Sequence, residues 1–171
     1  LLIASVLCND PVMYIDDRWL YDQEDDLPPV VELDLTNQQP VVSIVGSDIT
    51  IVASGHASLL AREAAEQLKN EGILVEVVDI RVLNPFHAEE IIKSVKKTKN
   101  LLAIDSGWIS GGFSAEIIAK VVEQLPVDCL NNPPTRLALP DAPAPVSRVL
   151  EKAYYTTTDD VVNIVKKIVK S

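Results

Sequence analysis

Residues 48–80 read DITIVASGHASLLAREAAEQLKNEGILVEVVDI, and the changes of period inside that run decide the fold. Ile49–Ser54 is a nearly continuous apolar run, the pattern of a strand buried on both faces. Over Ala57–Asn70 the apolar positions Leu60, Ala64, Ala65 and Leu68 share one face of a helix, and Gly72 stands just past its end. Ile73–Ile80 is apolar again. Strand, helix and strand in this order form a βαβ unit, whose right-handed crossover lays the second strand parallel to the first.

The same alternation continues downstream. Asn84-Pro85-Phe86 turns the chain into a helix over Ala88–Lys99, with Glu89 and Glu90 at its positive end and Lys96, Lys97 and Lys99 at its negative end. Its predicted buried stripe is Ile91, Ile92 and Val95. Leu101–Asp105 reads as a third strand, and a glycine-rich loop then leads to a helix from about Phe113 to Leu125. Thr135–Leu139 reads as a fourth strand. Pro140, Pro143 and Pro145 punctuate the next loop, and Val146–Ala153 and Thr158–Lys170 read as two closing helices, the last with Thr158-Asp159-Asp160 as cap and acidic first turn. The expected fold is a three-layer α/β/α domain around a mostly parallel, doubly wound sheet.

Upstream the text differs. Residues 1–40 hold nine acids against one base, Arg18, and so carry −8 of the chain's net −10. Leu1–Leu7 reads as the end of a helix stopped by Asn9-Asp10-Pro11, Val12–Ile15 as a short strand, and the acidic stretch dotted by Pro28, Pro29 and Pro40 as a linker. An opening of Leu1-Leu2-Ile3-Ala4-Ser5-Val6 resembles a helix interior, so a cut chain is expected. The expected division is 1–22 as the tail of a preceding domain, 23–40 as linker and 41–171 as the main domain.

These features exclude several functions. Acidic charge without clustered Lys and Arg argues against nucleic-acid binding, and no apolar run approaches the roughly 20 residues of a membrane span. Cys8 and Cys129 have no ligand-spaced neighbours, which predicts two buried structural thiols and no metal site. The loop Asp105-Ser106-Gly107-Trp108-Ile109-Ser110-Gly111-Gly112 lacks both the dinucleotide fingerprint and the P-loop lysine, so its glycines are read as backbone freedom at a helix start. No serine lies in a nucleophile elbow, and Asp16-Asp17 and Asp25-Asp26 are read as solvated charge. No catalytic, cofactor-binding or metal-binding residue is assigned. The candidates for a ligand are His56, Asp105 and Ser106, which the pattern gathers at the carboxyl edge of the sheet; His87 is read as a turn residue.

Several strings, taken in order, carry a resemblance: Asp48–Val52, Ala64–Leu68, Val77–Phe86, Leu102–Trp108 with Gly111-Gly112, Ala115–Ile117, and Leu139–Pro145 running to Glu151. The chain resembles the β subunit of the thiamin-diphosphate-dependent 2-oxo acid dehydrogenases, the E1 component of pyruvate and branched-chain complexes, at its transketolase C-terminal-like domain. Asn9–Val12 and Trp19-Leu20-Tyr21 look like the tail of that family's pyrimidine-binding domain. The resemblance implies oxidative decarboxylation of a 2-oxo acid by the full enzyme with thiamin diphosphate and Mg, and no cofactor on this piece alone, which it predicts to be inactive. It implies an E1 α subunit and a second β subunit as partners in an α2β2 tetramer, a docking face for the acyltransferase core, and a bacterial cytoplasm or mitochondrial matrix as the location. Leu130-Asn131-Asn132-Pro133 departs from the family's Leu-Asp/Glu-Ala-Pro and removes a charge from that docking face; Asp105 stands where glutamate is commoner, and His87 where aspartate often precedes the helix. The alternatives are the C-terminal domain of a transketolase or deoxyxylulose-phosphate synthase, and a stand-alone module binding a small ligand at the carboxyl edge.

Overall fold

The computed structural model describes residues 1–24, 26, 29–126 and 128–170. Asp25, Leu27 and Pro28 of the expected linker lie outside them, as do Val127 and Ser171. Five strands form one sheet: β1 (Val41–Ile44), β2 (Ile49–Ala53), β3 (Val75–Asp79), β4 (Leu101–Trp108) and β5 (Thr135–Leu139), in the order β1-β3-β2-β4-β5. All neighbours pair parallel except β1, which runs antiparallel to β3 from Val41 opposite Asp79.

Alternation along the strands sorts the core into two layers. Ile49, Ile51 and Ala53 of β2, Val75 and Val77 of β3, and Leu102 and Ile104 of β4 pack with α2 (His56–Lys69) and α6 (Thr158–Lys170). Val52, Val78, Leu101 and Ala103 point the other way, onto α3 (Glu89–Thr98) and α4 (Phe113–Val122). Both faces are therefore covered, as a parallel sheet requires. The predicted stripe Ile91, Ile92 and Val95 is buried. At α6 the predicted span holds, but the cap sits one residue earlier: the Thr157 amide donates to Asp160 Oδ2 at 2.9 Å and the Asp160 amide to Thr157 Oγ1 at 3.3 Å, a reciprocal capping pair.

Two expectations upstream are corrected. Val12–Ile15 forms no strand; no neighbouring strand among the described residues offers its backbone a ladder, and Met13 and Ile15 are 86% and 72% exposed. The edge strand β1 has no counterpart in the sequence reading, because four residues at an edge are too short for a clear period. The short helix α1 (Leu2–Leu7) ends where expected, while Cys8 and Cys129 are free and half-buried rather than buried.

The acidic segment is tied to the main domain. Asp34 caps a 3-10 turn over Leu35–Asn37, accepting from the Thr36 hydroxyl at 2.6 Å and the Thr36 backbone amide at 2.9 Å; these bonds, with one from the Asn37 side-chain Nδ2, hold its carboxyl below the ordinary range. The turn is pinned by His87, whose Nε2 lies 2.7 Å from the Thr36 carbonyl oxygen and donates to it.

Candidate functional site

Strand β2 leads into α2 on one face of the sheet, and its neighbour β4 leads into α4 on the other. The chain thus parts in opposite directions at the carboxyl ends of β2 and β4, which opens a crevice at the topological switch point, the usual ligand position in open α/β sheets. A cavity of about 190 Å³ lies there, and His56, Asp105 and Ser106 all line it. Its floor is apolar, from Ala57, Leu60, Ile104 and Leu139.

His56 is the first residue of α2, and its predecessor Gly55 adopts φ +56, where a side chain would be strained and would bring its Cβ within 3.1 Å of the Asp17 carboxylate. Gly55 has no side chain to cap the helix. The carboxylate of Asp17 does so from 39 residues away, accepting the His56 amide at 2.9 Å on Oδ2 and the Trp19 amide at 3.2 Å on Oδ1. The His56 ring packs at 4.8 Å and a tilt of 50° against Trp19, which in turn lies 5.5 Å from Tyr155. Asp16 accepts from the Tyr21 hydroxyl, a bond that raises the phenol above its ordinary pKa. Asp16-Asp17 is therefore more than solvated charge: it fastens an amino-terminal strap across the cavity mouth.

Asp105 faces the cavity with a carboxylate already engaged, Oδ1 by the Gly107 amide at 2.9 Å and Oδ2 by the Ser114 amide at 2.8 Å. It caps α4 as Asp17 caps α2. The glycine-rich loop lets this happen, since a Cβ at Gly112 would fall 2.3 Å from the Trp108 carbonyl oxygen and 2.7 Å from Asp105 Oδ2. An anion thus already occupies the positive end of α4. Ser106 is exposed at the mouth, and no hydrogen bond joins it, Asp105 and the His56 ring. The geometry brings the three together as walls, with no nucleophile and base in contact. Sequence reasoning missed Asp17, Trp19 and Tyr155 as wall residues; they sit in irregular segments, where periodicity carries no signal.

The amino edge of the sheet holds a polar cluster that the sequence reading did not single out. Glu76, only 2% exposed, accepts from Lys97, from the Ser94 hydroxyl and from the Gly46 amide at 3.2 Å. Burial, the largest influence, pushes the Glu76 carboxyl up, but the bonds from Lys97, Ser94 and Gly46 together with the Lys97 charge outweigh it and leave the carboxyl below its ordinary 4.5. Buried Thr50 lies 2.7 Å from both the Ser94 and the Thr98 hydroxyl, and Asn100 donates to the Asp48 carbonyl at 2.8 Å. Asn132 joins this edge to the last helix, donating to Asn100 Oδ1 at 3.1 Å and to the Ile168 carbonyl at 3.0 Å.

Comparison with known proteins follows the fold. Residues 40–161 match the family of the transketolase C-terminal domain. The chain is 35% identical over 172 residues to the mitochondrial pyruvate dehydrogenase E1 component subunit beta of Dictyostelium discoideum, with 98% of this chain and 48% of that protein aligned. It is 33% identical over 170 residues to the acetoin:2,6-dichlorophenolindophenol oxidoreductase subunit beta of Bacillus subtilis, covering 96% of this chain and 47% of that one. Among solved structures, a split-gene transketolase described as an inactive beta4 tetramer superposes with a TM-score of 0.68 at 28% identity, over 86% of this chain and 46% of that one. The chain spans about half the length of the curated relatives it matches.

Proposed function

This chain belongs to the transketolase C-terminal domain family, and from that premise we propose that it is the assembly domain of the β subunit of a thiamin-diphosphate-dependent 2-oxo acid dehydrogenase E1. In this reading residues 1–22 end the pyrimidine-binding domain, 23–40 connect, and 41–171 pack against an α subunit and a second β subunit in an α2β2 enzyme of the bacterial cytoplasm or mitochondrial matrix. Among the described residues no helix is long and apolar enough to cross a membrane.

One observation carries the proposal. Helix α5 (Arg148–Tyr154) has no buried residue, and Val146 and Val149 beside and on it are 100% and 78% exposed, with Leu150 exposed next to them. Three exposed aliphatic side chains at spacing i, i+3 and i+4 support a subunit contact at this end of the chain.

Thiamin diphosphate and Mg belong to the full enzyme in this reading, and the residues here do not fit them. Among the described residues no three His, Cys, Asp or Glu side chains converge to hold a metal ion; the positive end of α4 is taken by Asp105; and a cavity of about 190 Å³ is too small for a two-ring diphosphate. Acyltransferase docking through Asn131-Asn132 has little support, because the Asn132 side chain is engaged with Asn100 and Ile168 inside the chain.

The test places Val149→Glu and Leu150→Glu together in the full β subunit beside its α subunit. Analytical ultracentrifugation should show the tetramer fraction falling at least tenfold while the melting temperature holds; an intact tetramer overturns the reading. Decarboxylation of pyruvate by the 171-residue chain alone, given thiamin diphosphate and Mg, would also overturn it. The 28% identity to a split-gene transketolase favours a second reading, the same domain in a transketolase. Ketol transfer between sugar phosphates by the full enzyme, without acyl transfer to lipoyl groups, would select it.

A further inference from the structure

The cavity at the carboxyl edge has a chemistry of its own, independent of the assembly reading. It lies at the switch point between β2 and β4, where a fold of this topology offers a ligand backbone and side-chain ends from both directions. Its floor is aliphatic, and its mouth carries a continuous aromatic wall in which Trp19 touches both His56 and Tyr155. Asp17 and Asp105 supply the formal charge of the lining, and none of the described lining residues is Lys or Arg. Each oxygen of Asp17 accepts one amide, and a carboxylate oxygen can accept two hydrogen bonds, so acceptor capacity remains. The strap also belongs to the segment that carries most of the chain's negative charge.

An anionic ligand meets two carboxylates here and no counter-charge. A cation with an apolar body meets aromatic faces, carboxylates and an aliphatic floor, the combination that favours ammonium groups. A volume of about 190 Å³ is below the roughly 300–1,000 Å³ of sites for drug-sized ligands, which restricts the occupant to a small molecule. We propose that this cavity is a binding site for a small aliphatic ammonium compound, with Trp19 as the roof that the strap lays over it.

The experiment titrates n-butylammonium into the full chain and follows backbone amides by 15N NMR, with butyrate as the isosteric anion. Saturable shifts confined to His56, Ser106, Tyr155 and their neighbours are expected from butylammonium and none from butyrate. Trp19→Ala should weaken binding about three- to fivefold, as loss of one partly exposed cation–π contact does. Ser106→Phe, at an exposed position near the carboxyl end of β4, should block the mouth and abolish the shifts without altering the fold. Absence of saturable shifts, shifts that map elsewhere, equal shifts from butyrate, or undiminished binding in Ser106→Phe would each overturn the proposal. These readouts do not depend on whether the chain assembles with other subunits, so the two proposals fail separately.

Discussion

At the amino ends of β2, β3 and β4 the polar side chains are sealed inside and bonded to one another, whereas at the carboxyl ends they face a cavity that a distant segment roofs. Glu76, Thr50, Ser94 and Thr98 are buried and each has a partner within the main domain. Across the sheet, Asp105 and His56 also have partners, yet the cavity between them is open, and one of its walls comes from Asp17 and Trp19, outside the sheet and its helices. The same backbone layer thus carries a closed end and an adaptable end. Closure at one end gives the rigidity against which the other can be shaped, because a saturated buried network tolerates little rearrangement.

The largest expected effect is at the closed end. Lys97→Met leaves the Glu76 carboxylate buried without its cation, and removing one partner of a buried pair costs about 3–5 kcal/mol. Because Lys97 itself is 47% exposed, the lower part of that range, about 3 kcal/mol, is expected in urea denaturation. Adding Glu76→Gln should restore more than half of the loss. A cost for Lys97→Met below about 0.5 kcal/mol, typical of a surface pair, would show that the amino edge is no more closed than the rest of the surface.

Acid probes the same network. The folded Glu76 carboxyl sits below 4.5, so near and below that pH the unfolded chain binds the proton more readily than the folded one. The stability it contributes is complete above its unfolded pKa and is lost as pH falls from about 4.5 through the lower folded value. Denaturation midpoints measured from pH 7 to 3 should fall less steeply in Glu76→Gln than in the parent chain. Parallel curves would remove Glu76 from the account.

The open end should respond less. Asp105→Ala removes the cap of α4 and should cost about 1–2 kcal/mol by thermal or chemical denaturation. Smaller still is the strap: Asp17→Ala should change global stability by less than about 1 kcal/mol, while the His56 amide at the start of α2 loses hydrogen-exchange protection at least tenfold. Undiminished protection of that amide would mean that the strap does not hold the helix, and the contrast between the two ends would lose its sharpest point.

Much of this was legible before any coordinates. The apolar runs around Ile51, Val77 and Leu102, separated by helical stripes, specify a parallel sheet covered on both faces, and the stripe Ile91-Ile92-Val95 and the span of α6 follow from period and charge alone. His56, Asp105 and Ser106 could be grouped because each lies at or just past an expected strand end, and the ends of parallel strands share an edge; in the structure Asp105 and Ser106 fall within the carboxyl-terminal half of β4. The parallel arrangement did not reveal Glu76 as special: an acid in the second position of Val75–Asp79 looks like an ordinary solvent-facing residue until α3 is seen to cover it. Asp17 and Trp19 were hidden for a different reason, since their partners in the main domain lie 37 residues or more away and no local pattern records that distance.

What the amino-acid sequence determined by itself is the layered α/β architecture, because alternation of period is a local property that each segment expresses wherever it lies. Only the tertiary structure decided that an acidic strap caps α2, that Asp105 fills the anion position at α4, and that a buried carboxylate is balanced by Lys97. Those outcomes depend on which side chains meet across the fold, and hydrogen bonds and charges act over a few ångströms of space whatever the separation along the chain.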